Sequence, residues 1–294
     1  IITGLFVGLQ KTKTSSLAVG FFSILNILLS IVLVTKFDLN IKGVAYGTLF
    51  SALITSIIFL IYMFWYLSKY TKITINFAQI FNLKKIKNIF NINLNIFIRT
   101  ILLTFSFLWF TYLGTQIGED YVAANAILIN LVFLSAFILD AYAFSTEGIV
   151  GYSLGKKDLN LFKNIVKNSF ILSSISGLII SIIFFFTYNL VINLMSDINE
   201  IRELSSSYAV WLIILPVISS FCYQFDGIFI GASQTKELRN AMIFSVFSYL
   251  LISILLIKFL FNTGIWISLC IFMILRAVSL FYYLDKIYLR FRKN

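Results

Sequence analysis

Five ionisable side chains stand inside long apolar runs of the sequence: Arg99, Asp140, Glu147, Asp226 and Arg276. A charge near the centre of a membrane helix costs about 2.5–3.5 kcal/mol on insertion scales, so each of the five is a functional candidate by default. Counted at the helical rise from the lysine-rich ends of their runs, Arg99 and Asp226 lie about 9 Å deep, Glu147 about 5 Å and Asp140 about 15 Å. Arg99 and the three carboxylates therefore share one zone. Asp140 and Glu147 are nearly two helical turns apart and share a face. Such a set can handle ions: Arg99 neutralises one carboxylate, and another is left to exchange a proton or a cation. Each residue also has a plainer reading. Arg99 can snorkel or form a purely structural pair. Glu147 is shallow enough to reach water, and Asp226 can pair with Lys236 or Arg239 at its helix end. Arg276 has no obvious partner in the sequence, which leaves snorkelling or an acid in a preceding segment.

Other chemistry is poorly served. With no histidine, zinc-hydrolase motifs and histidine-dependent triads are excluded. Cys222 and Cys270 sit in apolar runs, where a thiol behaves as a small hydrophobe, so no disulfide, metal site or cofactor is expected. Gly151-Tyr-Ser-Leu-Gly155-Lys156 resembles a phosphate loop only superficially, because its spacing is short, Lys157 replaces the Ser or Thr, and no strand precedes it. The net charge of +11 raises nucleic acid as a partner. The basic residues nevertheless sit between apolar runs and form no stripe with stacking aromatics, so that partner is rejected.

The elements that must position the five charges are membrane helices. Only 12% of residues are charged and 60% are apolar, too little charge to cover a soluble domain of this length. Eight runs are long enough to cross a bilayer as helices: Ser16–Leu33, Val44–Trp65, Ile96–Leu113, Val122–Val150, Phe170–Leu190, Tyr208–Gly231, Ala241–Phe261 and Ile265–Tyr283. The predicted fold class is all-α and polytopic. Most of the 23 lysines and arginines fall in connections on one side, Lys84, Lys85, Lys87, Lys156, Lys157 and Lys286 among them. The other side holds Lys36, Lys42, Arg202 and Lys258. That asymmetry makes the rich side cytoplasmic, with the C-terminus there. The longest connection carries Phe77, Ile80, Phe81, Ile86, Ile89 and Phe90 at spacings that share a helical face, beside Lys84, Lys85 and Lys87, as an interfacial helix would. Gly43, Gly47 and Ser51, and likewise Ser173, Gly177 and Ser181, form small-residue stripes that allow close helix packing. Pro216 should bend its span.

Part of the sequence repeats. Gly4-Leu-Phe-Val-Gly8 lies over Gly227-Ile-Phe-Ile-Gly231 and, without a gap, Thr12-Lys13 lies over Thr235-Lys236. Six predicted helices separate the copies, and an even number gives parallel repeats. The second copy has a long stretch ahead of its glycine motif and the first almost none. Repeat arithmetic thus predicts roughly 130 preceding residues, about four helices, in a twelve-helix whole. Residues 1–67 are then the last two helices of an N-terminal six-helix bundle, 68–92 a cytoplasmic linker, and 93–294 a C-terminal six-helix bundle.

At these residues the chain resembles a known family. Gly4-Leu-Phe-Val-Gly-Leu-Gln-Lys-Thr-Lys-Thr14, Asn26, and Lys42-Gly-Val-Ala-Tyr-Gly-Thr48 are similar to the fifth and sixth helices of the multidrug and toxic compound extrusion (MATE) family. Arg99-Thr100, the stretch Leu139 to Gly151 with Gly155, and Phe225-Asp226-Gly-Ile-Phe-Ile-Gly-Ala232 resemble its DNA-damage-inducible branch most. The resemblance implies two six-helix bundles around a central cavity and export of organic cations, drugs or metabolites in exchange for protons or sodium. Asp226 matches the family's acidic position ahead of the glycine motif in its tenth helix. Some branches carry an acid in the seventh helix, where this chain has Arg99. The expected whole is a monomeric antiporter of the bacterial inner membrane, with Asp140, Asp226, Glu147 and Arg99 as coupling or cavity residues and a cationic amphiphilic substrate. It is not expected to be an enzyme. The rivals are a lipid-linked saccharide flippase, which the scarcity of intramembrane cations disfavours, and a membrane-embedded enzyme, for which no loop is large or acidic enough.

Overall fold

The computed structural model describes residues 2–9, 11–70 and 82–292, and every regular element among them is an α-helix. Two compact units emerge, Ile1–Lys85 and Ile86–Asn294. The first holds α1 (Ile2–Gly8), α2 (Thr12–Thr35) and α3 (Asn40–Tyr70). Its two long helices form a hairpin zipped by the small residues of α3. A Cβ on Gly47 would stand 2.9 Å from the Ser30 backbone, and one on Gly43 would stand 3.0 Å from that of Leu33. Beside them the Asn26 amide donates to the Thr48 hydroxyl at 3.0 Å.

The chain continues through α4 (Leu83–Thr115), α5 (Glu119–Gly155), α6 (Leu159–Met195), the short α7 (Asn199–Ser207), α8 (Val210–Gly231) and α9 (Thr235–Arg292). Seven described helices are long and apolar enough to cross a membrane. A straight α9 would be about 87 Å long, far more than the roughly 30 Å hydrocarbon core. It reverses at Phe261, whose φ of 49° and ψ of −130° lie outside the helical region. The Tyr249 ring meets that of Phe272 at a tilt with centroids 5.2 Å apart, and Lys286 reaches Glu237 at 3.1 Å, so residues 235–260 and 262–292 run antiparallel as two crossings. Each of the eight predicted spans is helical apart from Tyr208, Ala209 and Phe261 at span ends.

The start of α4 differs from the sequence reading. Residues 83–92, assigned to a separate linker helix, are the first turns of α4, capped by the Asn82 carboxamide oxygen, which accepts from Lys84 N–H at 3.0 Å. No glycine or proline separates them from the apolar run, so the helix simply continues. Ile86, Ile89 and Phe90 stay exposed on it. Phe77, Ile80 and Phe81 lie outside the described residues.

Small residues also seat α6 on α8. A Cβ on Gly177 would sit 2.9 Å from the Pro216 carbonyl oxygen, and the Ser181 hydroxyl donates to the Ile213 carbonyl at 2.6 Å, one turn before the proline. At the reversal of α9, Asn262 and Asn125 exchange two amide hydrogen bonds of 2.6 and 3.1 Å, and Trp266 Nε1 donates to Asn125 at 2.9 Å. All three residues are buried.

The repeat is structural as well as sequential. Gly8 and Gly231 each end a helix, and Thr12 and Thr235 each begin the next. Across the break, Leu9 N–H donates to the Leu5 carbonyl and Lys11 N–H to that of Phe6. In the second copy Ala232 N–H donates to Ile228 and Gln234 N–H to Phe229. The Lys11-to-Phe6 and Gln234-to-Phe229 bonds are the six-residue closures of a Schellman exit, which the second copy pairs with Ser233 N–H to the Ile230 carbonyl at 2.8 Å.

Candidate functional site

Glycine contacts between α5 and α8 determine where the acids meet. A Cβ on Gly227 would stand 2.9 Å from the Ala143 carbonyl carbon, and one on Gly231 would stand 3.0 Å from Glu147 Cα. The two helices thus touch backbone to backbone and run in the same direction. Asp226, one residue before Gly227, and Asp140, one turn before Ala143, are carried into the same region. Beside them the Thr146 hydroxyl donates to the buried Gln224 at 3.0 Å.

Asp226 is the hub. Its Oδ2 accepts from the Arg99 guanidinium of α4 and, at 2.6 Å, from the Arg276 guanidinium on the second arm of α9. Asp226 Oδ1 is buried without a hydrogen-bond partner among the described residues. Arg276 is 1% exposed and lies between the Phe272 and Tyr223 rings, with centroids 5.5 and 5.9 Å away. The trio sits between two apolar clusters, one built around Trp266 and Phe272, the other around Phe162 and Phe229. Two guanidiniums against one carboxylate leave a formal charge of +1. Asp226 and Arg276 are buried and Arg99 is largely so, and their mutual pairing offsets a desolvation cost of several kcal/mol for each ion.

Asp140 stands within electrostatic reach of Asp226, Arg99 and Arg276. Among the described residues neither Asp140 nor Glu147 has a salt-bridge partner, and both side chains are half-buried. Of the sequence-derived candidates, Arg99, Asp140 and Asp226 therefore come together, and Glu147 lies nearly two turns along α5 from Asp140. Asp226 does not use its helix-end neighbours, since Arg239 binds Asn95 at 2.9 Å. Arg276, which the sequence left without a partner, is a full member. A signal for it was present: counted back from the lysine-rich end of its span it lies about 10 Å deep, level with Asp226.

The MatE family model matches residues 96–257, more than half of the chain. The chain belongs to the MatE family. Arg99, Asp140, Glu147 and Asp226 fall within the matched MatE region, and Arg276 lies beyond it. DNA damage-inducible protein F of Escherichia coli (strain K12) is 29% identical over 280 residues, covering 95% of this chain and 61% of that protein. Protein DETOXIFICATION 43 of Arabidopsis thaliana is 24% identical over 280 residues, covering 94% and 51%. A solved structure described as the outward-facing conformation of a multidrug resistance MATE family transporter of the MOP superfamily superposes with a TM-score of 0.87 at 18% identity, over 100% of this chain and 66% of that one. The chain thus spans between half and two thirds of the length of these relatives.

Proposed function

We infer that the protein is a secondary active efflux transporter, a proton-coupled antiporter of cationic, amphiphilic small molecules working by alternating access. Membership of the MatE family supports the class. The observation that carries the mechanism is a half-buried Asp140, without a salt-bridge partner among the described residues, beside a largely buried trio of charge +1. With Asp140 ionised the four groups sum to zero and a cation can approach. With Asp140 protonated the site is cationic and repels it. Proton and substrate thereby exclude each other, which is the requirement for exchange. A single proton on Asp140 suffices to switch the charge of the site, which favours the proton over sodium. Asp226 is the electrostatic fixture in this reading, Arg99 and Arg276 hold it, and Glu147 serves the cytoplasmic entrance. No enzymatic step is assigned to any of these residues.

The same reading makes residues 1–67 the closing helices of an N-terminal bundle and 93–294 a C-terminal bundle, in a monomer of the bacterial inner membrane with its C-terminus cytoplasmic. The flippase reading fares worse, because both intramembrane arginines are already bound to Asp226 and neither is free for a diphosphate.

The test is efflux of a cationic dye by the full-length protein in vesicles under an imposed pH gradient. Asp140→Asn should lower pH-driven efflux at least about tenfold, the size of a typical coupling free energy, with Asp140→Glu retaining part of it. Efflux driven equally well by a sodium gradient at uniform pH would overturn proton coupling.

A further inference from the structure

An apolar slot of about 650 Å³ runs along the second unit between α6, α8 and the second arm of α9. Its walls include Val166 and Phe170 of α6, Phe221 and Phe225 of α8, and Ala277 and Phe281 of α9, and every lining side chain is apolar. A second apolar recess of about 620 Å³, reaching Phe186 and Ile213, continues it through the shared Val217 and Ile218. The rim is open to the outside of the helices, since Phe281 and Val278 are 65% and 57% exposed. In a membrane-spanning chain such a slot meets hydrocarbon.

One end of the slot is flanked by charge. Val166 and Phe170 line it there, and Lys163, three residues before Val166 and seven before Phe170, and Lys167, three before Phe170 and four after Lys163, are exposed on α6 beside them. Asp285 flanks the slot on α9, so the two lysines leave the mouth net positive. An apolar channel with a cationic mouth at the membrane edge fits one chemistry. We propose that the second unit carries a site for an anionic phospholipid, with one acyl chain in the phenylalanine-walled slot and the headgroup phosphate accepting from the Lys163 and Lys167 Nζ groups. The site backs directly onto the charge cluster. Phe225 and Ala277 line the slot, and Asp226 and Arg276, their immediate neighbours, form the ion pair. A bound chain presses on the same turns of α8 and α9 that hold the pair and stabilises that arrangement.

The experiment uses the full-length protein in nanodiscs of dioleoyl-phosphatidylcholine with a minor fraction of dioleoyl-phosphatidylglycerol, and native mass spectrometry of the lipids retained. The wild-type protein should retain phosphatidylglycerol well above its bulk fraction. Lys163→Gln with Lys167→Gln should cut that preference about tenfold or more, given about 1 kcal/mol per basic residue at an anionic surface, whereas the Lys→Arg pair should keep it. Ala277→Phe, which fills the slot, should remove one retained phospholipid whichever headgroup is supplied. Retention of the two lipids in bulk proportion by the wild type, or an unchanged preference in the glutamine pair, overturns the proposal. Should Ala277→Phe fail to fold, the lysine variants alone decide.

Discussion

The two glycine-headed helix breaks are alike in backbone and unlike in charge. Phe6 and Phe229, at matching positions, are both fully buried, and Ala18 and Ala241 are 4% and 2% exposed. The Lys11-to-Phe6 and Gln234-to-Phe229 hydrogen bonds measure 2.7 and 2.9 Å. The residue before the first glycine is Thr3 in one copy and Asp226 in the other. The duplicated part is thus a scaffold, a glycine pair for close approach, a phenylalanine for anchoring and a threonine to restart the helix. The ionic hub has its acid only in the second copy and depends on Arg99 of α4 and Arg276 of the second arm of α9, two residues outside the repeated stretch.

The change with the largest expected effect makes the copies alike. Asp226→Thr strands the buried Arg276 guanidinium and the partly buried Arg99, and removing one partner of a buried pair costs about 3–5 kcal/mol. The thermal unfolding midpoint of the detergent-solubilised protein should fall sharply, and adding Arg276→Met should recover part of the loss. Full stability in the single variant would mean that the hub is not a unit. Next come the scaffold glycines. Gly227→Ala and Gly231→Ala drive a methyl into the backbone of α5, and overpacking of this kind costs about 1–3 kcal/mol. Since the intruded atoms are main chain, with no side chain to move aside, the upper part of that range is expected in the same assay. The smallest effect should come from a charge at the membrane edge. Lys286 is half exposed in its pair with Glu237, and Lys286→Ala should cost at most about 1 kcal/mol. A large loss there would erase the distinction between buried and peripheral charge.

Much of this was legible in the residues. Span length and the Gly-x-Phe-x-Gly repeat announce the helices and their doubling, because both are short-range patterns that one strand of text carries. Arg99, Asp140 and Asp226 could be brought to one zone of the membrane by counting rise. Which acid Arg99 takes was not legible, since that depends on the rotation of α4 about its axis, set by packing. The partner of Arg276 was not legible for the same reason, since Asp226 lies on another helix. The union of residues 83–92 with α4 was hidden because amphipathic spacing says which face is apolar and says nothing about where one helix gives way to another. The Asn125–Asn262 pair went unremarked because each asparagine is ordinary until the chain reversal at Phe261 sets them together.

That reversal has a mechanical consequence. A turn of one non-helical residue, stapled by Asn262 and Trp266 to α5, leaves no slack between the two arms of α9. Neither arm can slide lengthwise like a piston without tearing the staple. A tilt of the two arms together would leave the staple intact, and since Arg276 rides on the second arm, such a tilt would bear directly on the Asp226 contact.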